Sequence, residues 1–565
     1  MKKFLMMIVV SIVMVWQTTV SQAQGTSVKE LPKGWHLMDK DKDGFYGISL
    51  EKAYEFVKDK KSNTIIVAVI DSGIDTVHED LKEVLWTNPK EVPGNKIDDD
   101  KNGYVDDTHG WNFIGGEDGI NVKEDSYEGT RMYHKLKKIF STDTDTTSFS
   151  AEQKEQYAAW LKVKSKIEGD ASGGGVDVMI MEKALETSMK GDSILRKAIG
   201  QEVYTGKDLD TYAPANADEQ KAKAAVLYLF KANNMMETTN KEFLEGFRDF
   251  VSGEQKKKES LSKAPRDYRA EIVKDDETDI NDRYYGNSDI MAGTPFHGTH
   301  VSGIIAAKRN NKKGIDGIAD NVRIMTIRAV PDGDEHDKDI ALAIRYAVDN
   351  GAKVVNMSFG KGFSPEKNWV DDAVKYAESK GVLLVHAAGN DAANVDSTEN
   401  YPSPTLKQSK AKANNWITVG ASSDPIAEPV FKSYTASFSN YGKTQVDVFS
   451  PGTKIYSTIP GGNSYGNAQG TSMASPVVAG VAAFILSYYP HLNAQQVKYA
   501  IEKSATPLPA KVKIPGTDDL VEMSDLSVSG GVINAYEAVK LASTLKPSNE
   551  KQPKTPKSTL KNRKG

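Results

Sequence analysis

The chain has 565 residues, no cysteine, 39% hydrophobic and 26% charged residues, and a formal net charge of −5. The missing cysteines exclude disulfides, thiolate metal sites, a thiol nucleophile and a lipid-bearing cysteine, and the mild negative balance implies no nucleic-acid or anionic-membrane partner. The length fits two to four average domains, or one large domain carrying insertions.

Residues 1–23 read as a secretory signal peptide. Lys2 and Lys3 precede an apolar run from Phe4 to Trp16, shorter than the ~20 residues a membrane span needs, and Ser21 and Ala23 fit a cleavage site after Ala23. The expectation is an exported protein, extracellular or periplasmic, with no stable membrane span once the signal is removed. Without disulfides, bound cations are the obvious staple for such a protein. "DKDKDG" (39–44) reads as a surface turn leading into a helical "GISLEKAYEFVKDK". "TIIVAVIDSG" (64–73) is a β-branched run ending at an acid, the pattern of a strand buried on both faces of a parallel sheet.

"NKIDDDKNGYVDDTHGW" (95–111) follows. Asp98, Asp100, Asn102 and Gly103 fall at positions 1, 3, 5 and 6 of an EF-hand-like loop, Tyr104 would offer a backbone carbonyl, and Asp106 falls at position 9. Position 12 is His109 rather than Glu and no second helix follows, so this is not a true EF-hand. Clustered carboxylates repel unless a hard cation sits among them or they face water, and both arrangements fit the residues.

From about 117 to 285 strand runs vanish. "AEQKEQYAAWLKVKSKIEG", "DVMIMEKALETSMKG" and "ADEQKAKAAVLYLFKANN" are charged helices with apolar faces, two of them separated by glycines 173 to 175. This segment is expected to be a helical insertion. Beyond it, "FHGTHVSGII" (296–305) places His297 and His300 three apart among small residues. Buried-strand patterns then recur at 352–360, 381–390, 415–422 and 446–452, with helical stretches at 337–350 and 369–380 between them. That alternation predicts an α/β fold with a mostly parallel central sheet, whose ligand sites sit at the carboxyl ends of the strands. Asp71, Ser358 and Asn390 fall at such ends. Residues 546–565, with seven basic residues, one acid and three prolines, read as a basic disordered tail.

Ser472, in "GTSMASPVVAGVAAFIL", lies between a Gly-rich loop and an apolar helical run. Serine is a weak nucleophile and needs an adjacent base; His297 could be that base. The base needs a buried acid to fix its tautomer, and Asp71 fits. Asn390, in "AAGND", offers an amide for an oxyanion. Alone each signal is weak: a strand-end Asp or Asn-Asp is usually a turn, and a Ser before a helix is usually a cap.

Together, "VAVIDSGID", "HGTHVSGIIAA", "HAAGN" and "GTSMASP" resemble the subtilase family of serine endopeptidases, in motif order. The resemblance implies a three-layer subtilisin-like fold, polypeptide substrates, and the roles of triad acid for Asp71, base for His297, nucleophile for Ser472 and oxyanion donor for Asn390. It implies that Ser358, Phe359 and Gly360 form the edge that pairs with substrate backbone, and that Ala387, Ala388 and Gly389 wall the pocket for the residue before the cut. It also implies structural Ca²⁺, here at Asp98, Asp100, Asn102, Tyr104 and Asp106, with no cofactor required for the chemistry. His300 is expected to pack at the helix start. A zinc site is disfavoured, because "HGTH" lacks the Glu of H-E-x-x-H. A catalytically silent scaffold whose insertion binds a partner is the alternative reading.

Two features depart from the family pattern. Only about 40 residues separate the signal from Thr64, and part of them looks like mature helix, so a full propeptide does not fit. Asp71 and His297 lie 226 residues apart, with the insertion filling the gap. The expected division is 1–23 signal, 24–116 first part of the catalytic domain, 117–285 insertion, 286–545 its remainder and 546–565 tail.

Overall fold

The computed structural model describes residues 31–172, 178–233, 235–236, 238–259, 261–293, 295–427 and 431–547. The signal peptide, the glycine triplet and the tail from 548 lie outside these residues.

Seven strands form one parallel sheet: β1 (Ile65–Asp71), β2 (Gly110–Asn112), β3 (Val322–Arg328), β4 (Val354–Met357), β5 (Leu383–Ala387), β6 (Trp416–Ser422) and β7 (Val448–Pro451). Their order is β2-β3-β1-β4-β5-β6-β7, so β1 lies between β3 and β4. Side chains alternate across a strand, and β1 fills both faces. Val67 and Val69 enter one buried cluster, Ala68 and Ile70 the other. This is why its apolar run is continuous rather than alternating with polar residues.

On the Val67 face lie α1 (Leu50–Val57), α2 (Phe296–Ala306), the long α5 (Thr471–Tyr488), α6 (Ala494–Lys503) and α7 (Ala535–Ala542). On the Ile70 face lie α3 (Asp337–Asp349) and α4 (Lys367–Ser379). Helices cover both faces, giving three layers. α5 is long and apolar enough to cross a membrane by composition, yet 89% of it is buried in the protein, so it is the core helix. An antiparallel hairpin, β8 (Ile455–Ile459) with β9 (Ser464–Ala468), precedes α5.

β3 is a strand that residue pattern alone did not mark. "VRIMTIR" carries Arg at both ends of its apolar centre, which breaks the continuous run.

A second compact unit runs from Asp125 to Asp267. Its helices are Glu128–Leu136, Ala151–Ser172, Val178–Ile199, Ala217–Ala232 and Asn240–Glu259, with a short Gly206–Thr211. Leu195, Val226, Phe230, Phe243 and Phe247 make its core. Inside it the buried Asn240 amide donates to Asp192 Oδ1 at 2.6 Å, and Arg196 Nε donates to Asp192 Oδ2 at 2.8 Å. The flanks of the 117–285 segment belong to the sheet unit instead. Val122 lies in the sheet's core cluster, and the Arg269 guanidinium donates to both oxygens of the buried Asp339 on α3, at 2.6 and 2.8 Å.

Candidate active site

β1 delivers Asp71 to the carboxyl end of the sheet, where the chain turns through Ser72 and Gly73. Asp71 Oδ1 accepts from Ser72 N at 2.8 Å and from His297 Nδ1 at 2.8 Å. The carboxylate is 2% exposed and the imidazole 37% exposed, so the pair runs from core to surface. Burial pushes the His297 pKa down; the Asp71 charge and hydrogen bond more than reverse this, and it ends above the usual histidine value. With Nδ1–H given to Asp71, Nε2 is the ring nitrogen left able to accept a proton.

His297 sits in the first turn of α2, and the helix approaches β1 closely. A Cβ on Gly298 would lie 2.0 Å from the Gly73 carbonyl oxygen, and Gly73 itself takes φ +116°. Only glycine at 298 permits that approach. His300 is fully buried; its Nε2 donates to Ile455 O (3.0 Å) and Gly466 O (3.2 Å) and burial drives its pKa down to about 3. It is a neutral strut between α2 and the β8–β9 hairpin. Ser457 and Thr458 complete the seam by donating to His300 O and Thr299 O.

Ser472 is the second residue of α5, whose N-cap is Gly470. Its hydroxyl donates to Ser358 O at 3.1 Å and makes no hydrogen bond to His297. The start of α5 is pinned to the end of β4 by a buried relay. Ser475 Oγ donates to Asn356 Oδ1 (2.8 Å), Asn356 Nδ2 to Ser358 Oγ (2.9 Å), and Ser358 Oγ to Ser472 O (2.9 Å). Asn390, just beyond β5, accepts at Oδ1 from Thr471 N and Oγ1, at 2.8 and 3.0 Å. This fixes the amide flip and frees Nδ2. A Cβ on Gly470 would lie 3.5 Å from both Asn390 Nδ2 and Ser472 N, so both nitrogens neighbour the same point beside the start of α5.

Ala387 and Ala388 are buried, and the Ala388 carbonyl receives the amides of Asn400 and Asn440, each at 2.9 Å. That wall is rigid. Asn356, Asn400 and Asn440 carry no motif of their own that would mark them in the sequence.

Beneath the Asp71 turn lies Arg328, at the end of β3 and 2% exposed. It donates to Ser72 O, Ala292 O and Asn112 Oδ1 at 3.0–3.1 Å, and to Val122 O at 2.5 Å. Burial lowers its pKa to about 10, still cationic at neutral pH. Four neutral acceptors satisfy this buried cation, and it ties together the four segments that meet behind Asp71.

In the acidic loop the structure gathers Asp98 and Asp100 with Glu91, their oxygens within 4.8 Å of one another. Glu91 is 7% exposed and its Oε2 is buried with no hydrogen-bond partner among the described residues. An orphaned, charged oxygen facing two carboxylates fits a hard cation. The other expected ligands, Asn102, Asp106 and the Tyr104 backbone carbonyl, lie outside this three-carboxylate group. Asp106 accepts from Gly94 N and Lys96 N (2.8 and 2.7 Å), Asn102 Oδ1 accepts from Tyr104 N (2.7 Å), and the Tyr104 ring packs against Trp111. Glu91 lies seven residues before Asp98, outside any fixed spacing that would mark it in the sequence.

The subtilase family model matches residues 62–530. The chain is 43% identical over 244 residues to a thermophilic serine proteinase of Bacillus sp. (strain AK1), covering 43% of this chain and 52% of that protein. It is 40% identical over 216 residues to subtilisin DY of Bacillus licheniformis (38% of this chain, 71% of that protein). It is 38% identical over 245 residues to thermitase of Thermoactinomyces vulgaris (43% of this chain, 75% of that protein). The match to the first of these relatives thus spans about half of that protein's length.

Proposed function

Because the chain belongs to the subtilase family, we propose that it is an exported serine endopeptidase working through Asp71, His297, Ser472 and Asn390. The observation that carries this reading is the 2.8 Å Asp71–His297 pair at the same sheet end as the Asn390/Ser472 N–H cleft.

Ser472 Oγ first leaves the Ser358 carbonyl by rotation about its Cα–Cβ bond and donates to His297 Nε2; such contacts commonly close only with substrate bound. Oγ then attacks the scissile carbonyl carbon while Nε2 takes its proton. The imidazolium is held by Asp71, which keeps Nδ1–H in place and does not take the proton itself. The tetrahedral oxyanion receives hydrogen bonds from Asn390 Nδ2 and Ser472 N–H. His297 passes its proton to the leaving amine nitrogen, and the C–N bond breaks to give the acyl-enzyme. A water, deprotonated by His297, attacks the ester carbon; the C–Oγ bond breaks, His297 returns the proton to Ser472 Oγ, and the acid is released. An extended peptide adds to the Ser358–Gly360 edge, with Ala387, Ala388 and Gly389 lining the pocket before the cut.

Export rests on the charged-then-apolar start of the sequence. Glu91, Asp98 and Asp100 would hold Ca²⁺, which supplies structural bracing of the loop after β1 and nothing to the reaction.

The test is casein hydrolysis by the purified protein and by Ser472→Ala. The reading predicts turnover lost by about 10⁶ in the variant, the size of loss found in subtilisin. Equal turnover by the two proteins would refute it.

A further inference from the structure

β4 and β5 run in register as far as Met357 opposite His386. Beyond that pair β4 ends and the chain continues as Ser358, Phe359 and Gly360. The Phe359 carbonyl is met by a side chain: His386 Nε2 lies 2.8 Å from it. The acceptor is a carbonyl, so Nε2 carries the hydrogen. His386 is 1% exposed, with the Phe359 ring edge-on at 6.3 Å and the Trp416 ring at 5.3 Å. Burial drives its pKa down to about 4, which keeps the ring neutral. The hydrolytic mechanism uses neither this histidine nor its bond.

Backbone carbonyls alternate in direction along an extended segment. If Phe359 O points back to His386, the groups of Ser358 and Gly360 point the other way. Ser358 O faces Ser472, from which it accepts a hydrogen bond. Gly360 is exposed, and among the described residues nothing pairs with its N–H or C=O. The far end of the segment is held by Lys361 N to Tyr401 O (2.8 Å) and Tyr401 N to Lys361 O (2.9 Å).

We propose that His386 is a positioning residue for substrate. Its Nε2–H holds the Phe359 carbonyl from behind, so that the unpaired backbone groups of Gly360 stand on the Ser472 side, ready for an extended peptide. The inference rests on the endopeptidase reading above and assigns the rear support of its binding edge.

The experiment compares His386→Gln, whose amide keeps a donor at the same reach, with His386→Met, which keeps bulk and loses the donor. Substrates are peptide amides with two or four residues before the cut; only the longer ones reach Gly360. A fluorophosphonate measures Ser472 reactivity independently of the edge. In His386→Met, KM for the four-residue substrate should rise about fivefold to tenfold, the worth of one neutral hydrogen bond. Its kcat, its fluorophosphonate rate and its action on the two-residue substrate should stay within about twofold. His386→Gln should match the wild type. Equal KM in all three proteins, or parallel losses on both substrates, would overturn the proposal.

One measurement needs no variant. In ¹⁵N-histidine-labelled wild type, His386 should be the neutral Nε2–H tautomer, and its signal should move when a four-residue peptide aldehyde binds. An Nδ1–H tautomer, or indifference to the peptide, would overturn it. A wild type that never reacts with the fluorophosphonate would instead bring down the endopeptidase reading, and this inference with it.

Discussion

His297 is held by two opposed influences, burial that favours the neutral ring and Asp71 that favours the charged one, and Asp71 prevails. A base works only when neutral, so the balance sets the acid side of the pH profile. The kcat/KM of the wild type should rise with pH through an apparent pKa above about 6.5, the ordinary histidine value. Asp71→Asn removes both influences that raise the pKa and leaves burial in place. Its acid limb should move to lower pH while kcat falls on the order of 10⁴, because the amide favours the wrong tautomer. A rate profile that does not shift in the variant would mean that another group sets the limb. At this scale the residues proposed to react stand out in the sequence, because Asp71, His297, Asn390 and Ser472 each sit in a motif with a distinct chemical signature. Their supports do not. Asn356, Asn400, Asn440 and Arg328 act through contacts between residues distant in sequence, and an Asn or Arg at a strand end carries no mark of what it will touch.

α2 is the element on which the site's geometry depends most. It meets β1 so closely that Gly298 has no room for a methyl group against the Gly73 carbonyl. Gly298→Ala should push α2 outward, costing about 1–3 kcal/mol as overpacking does and lengthening the Asp71–His297 contact. Urea unfolding and kcat read the two effects, and a variant as stable and active as the wild type would contradict the packing. Strands with a run of consecutive apolar residues, such as β1 and β5, were readable from sequence because burial on both faces demands that pattern. β3 was not, because Arg323 and Arg328 interrupt its apolar run. Arg328 is buried with its charge satisfied by neutral oxygens, an arrangement that only the assembled fold provides.

Across the whole chain, the alternation of strand and helix patterns announced a layered α/β unit, and residues 117–285 stand out by their helical texture. The limits of the second compact unit were less legible. Residues on either side of Asp125–Asp267 are polar enough to pass for insertion, yet Arg269 is spent on the buried Asp339 of α3. The acidic loop shows the same limit, since its spacing pointed to a cation while Glu91 lay outside any motif. Glu91→Gln and treatment with a calcium chelator should each lower the melting temperature, and the chelator should then add little to the variant. Identical melting of wild type and variant, with and without chelator, would remove the cation from the account. The claim on which everything else depends is that Asp71, His297 and Ser472 act as one unit. Intact-mass and peptide-mapping measurement of the fluorophosphonate-treated protein tests it most directly. A single adduct on Ser472 is predicted, forming faster as His297 loses its proton, absent in Ser472→Ala and slowed by orders of magnitude in His297→Ala. An adduct on another residue, no adduct at all, or labelling indifferent to His297 would contradict it.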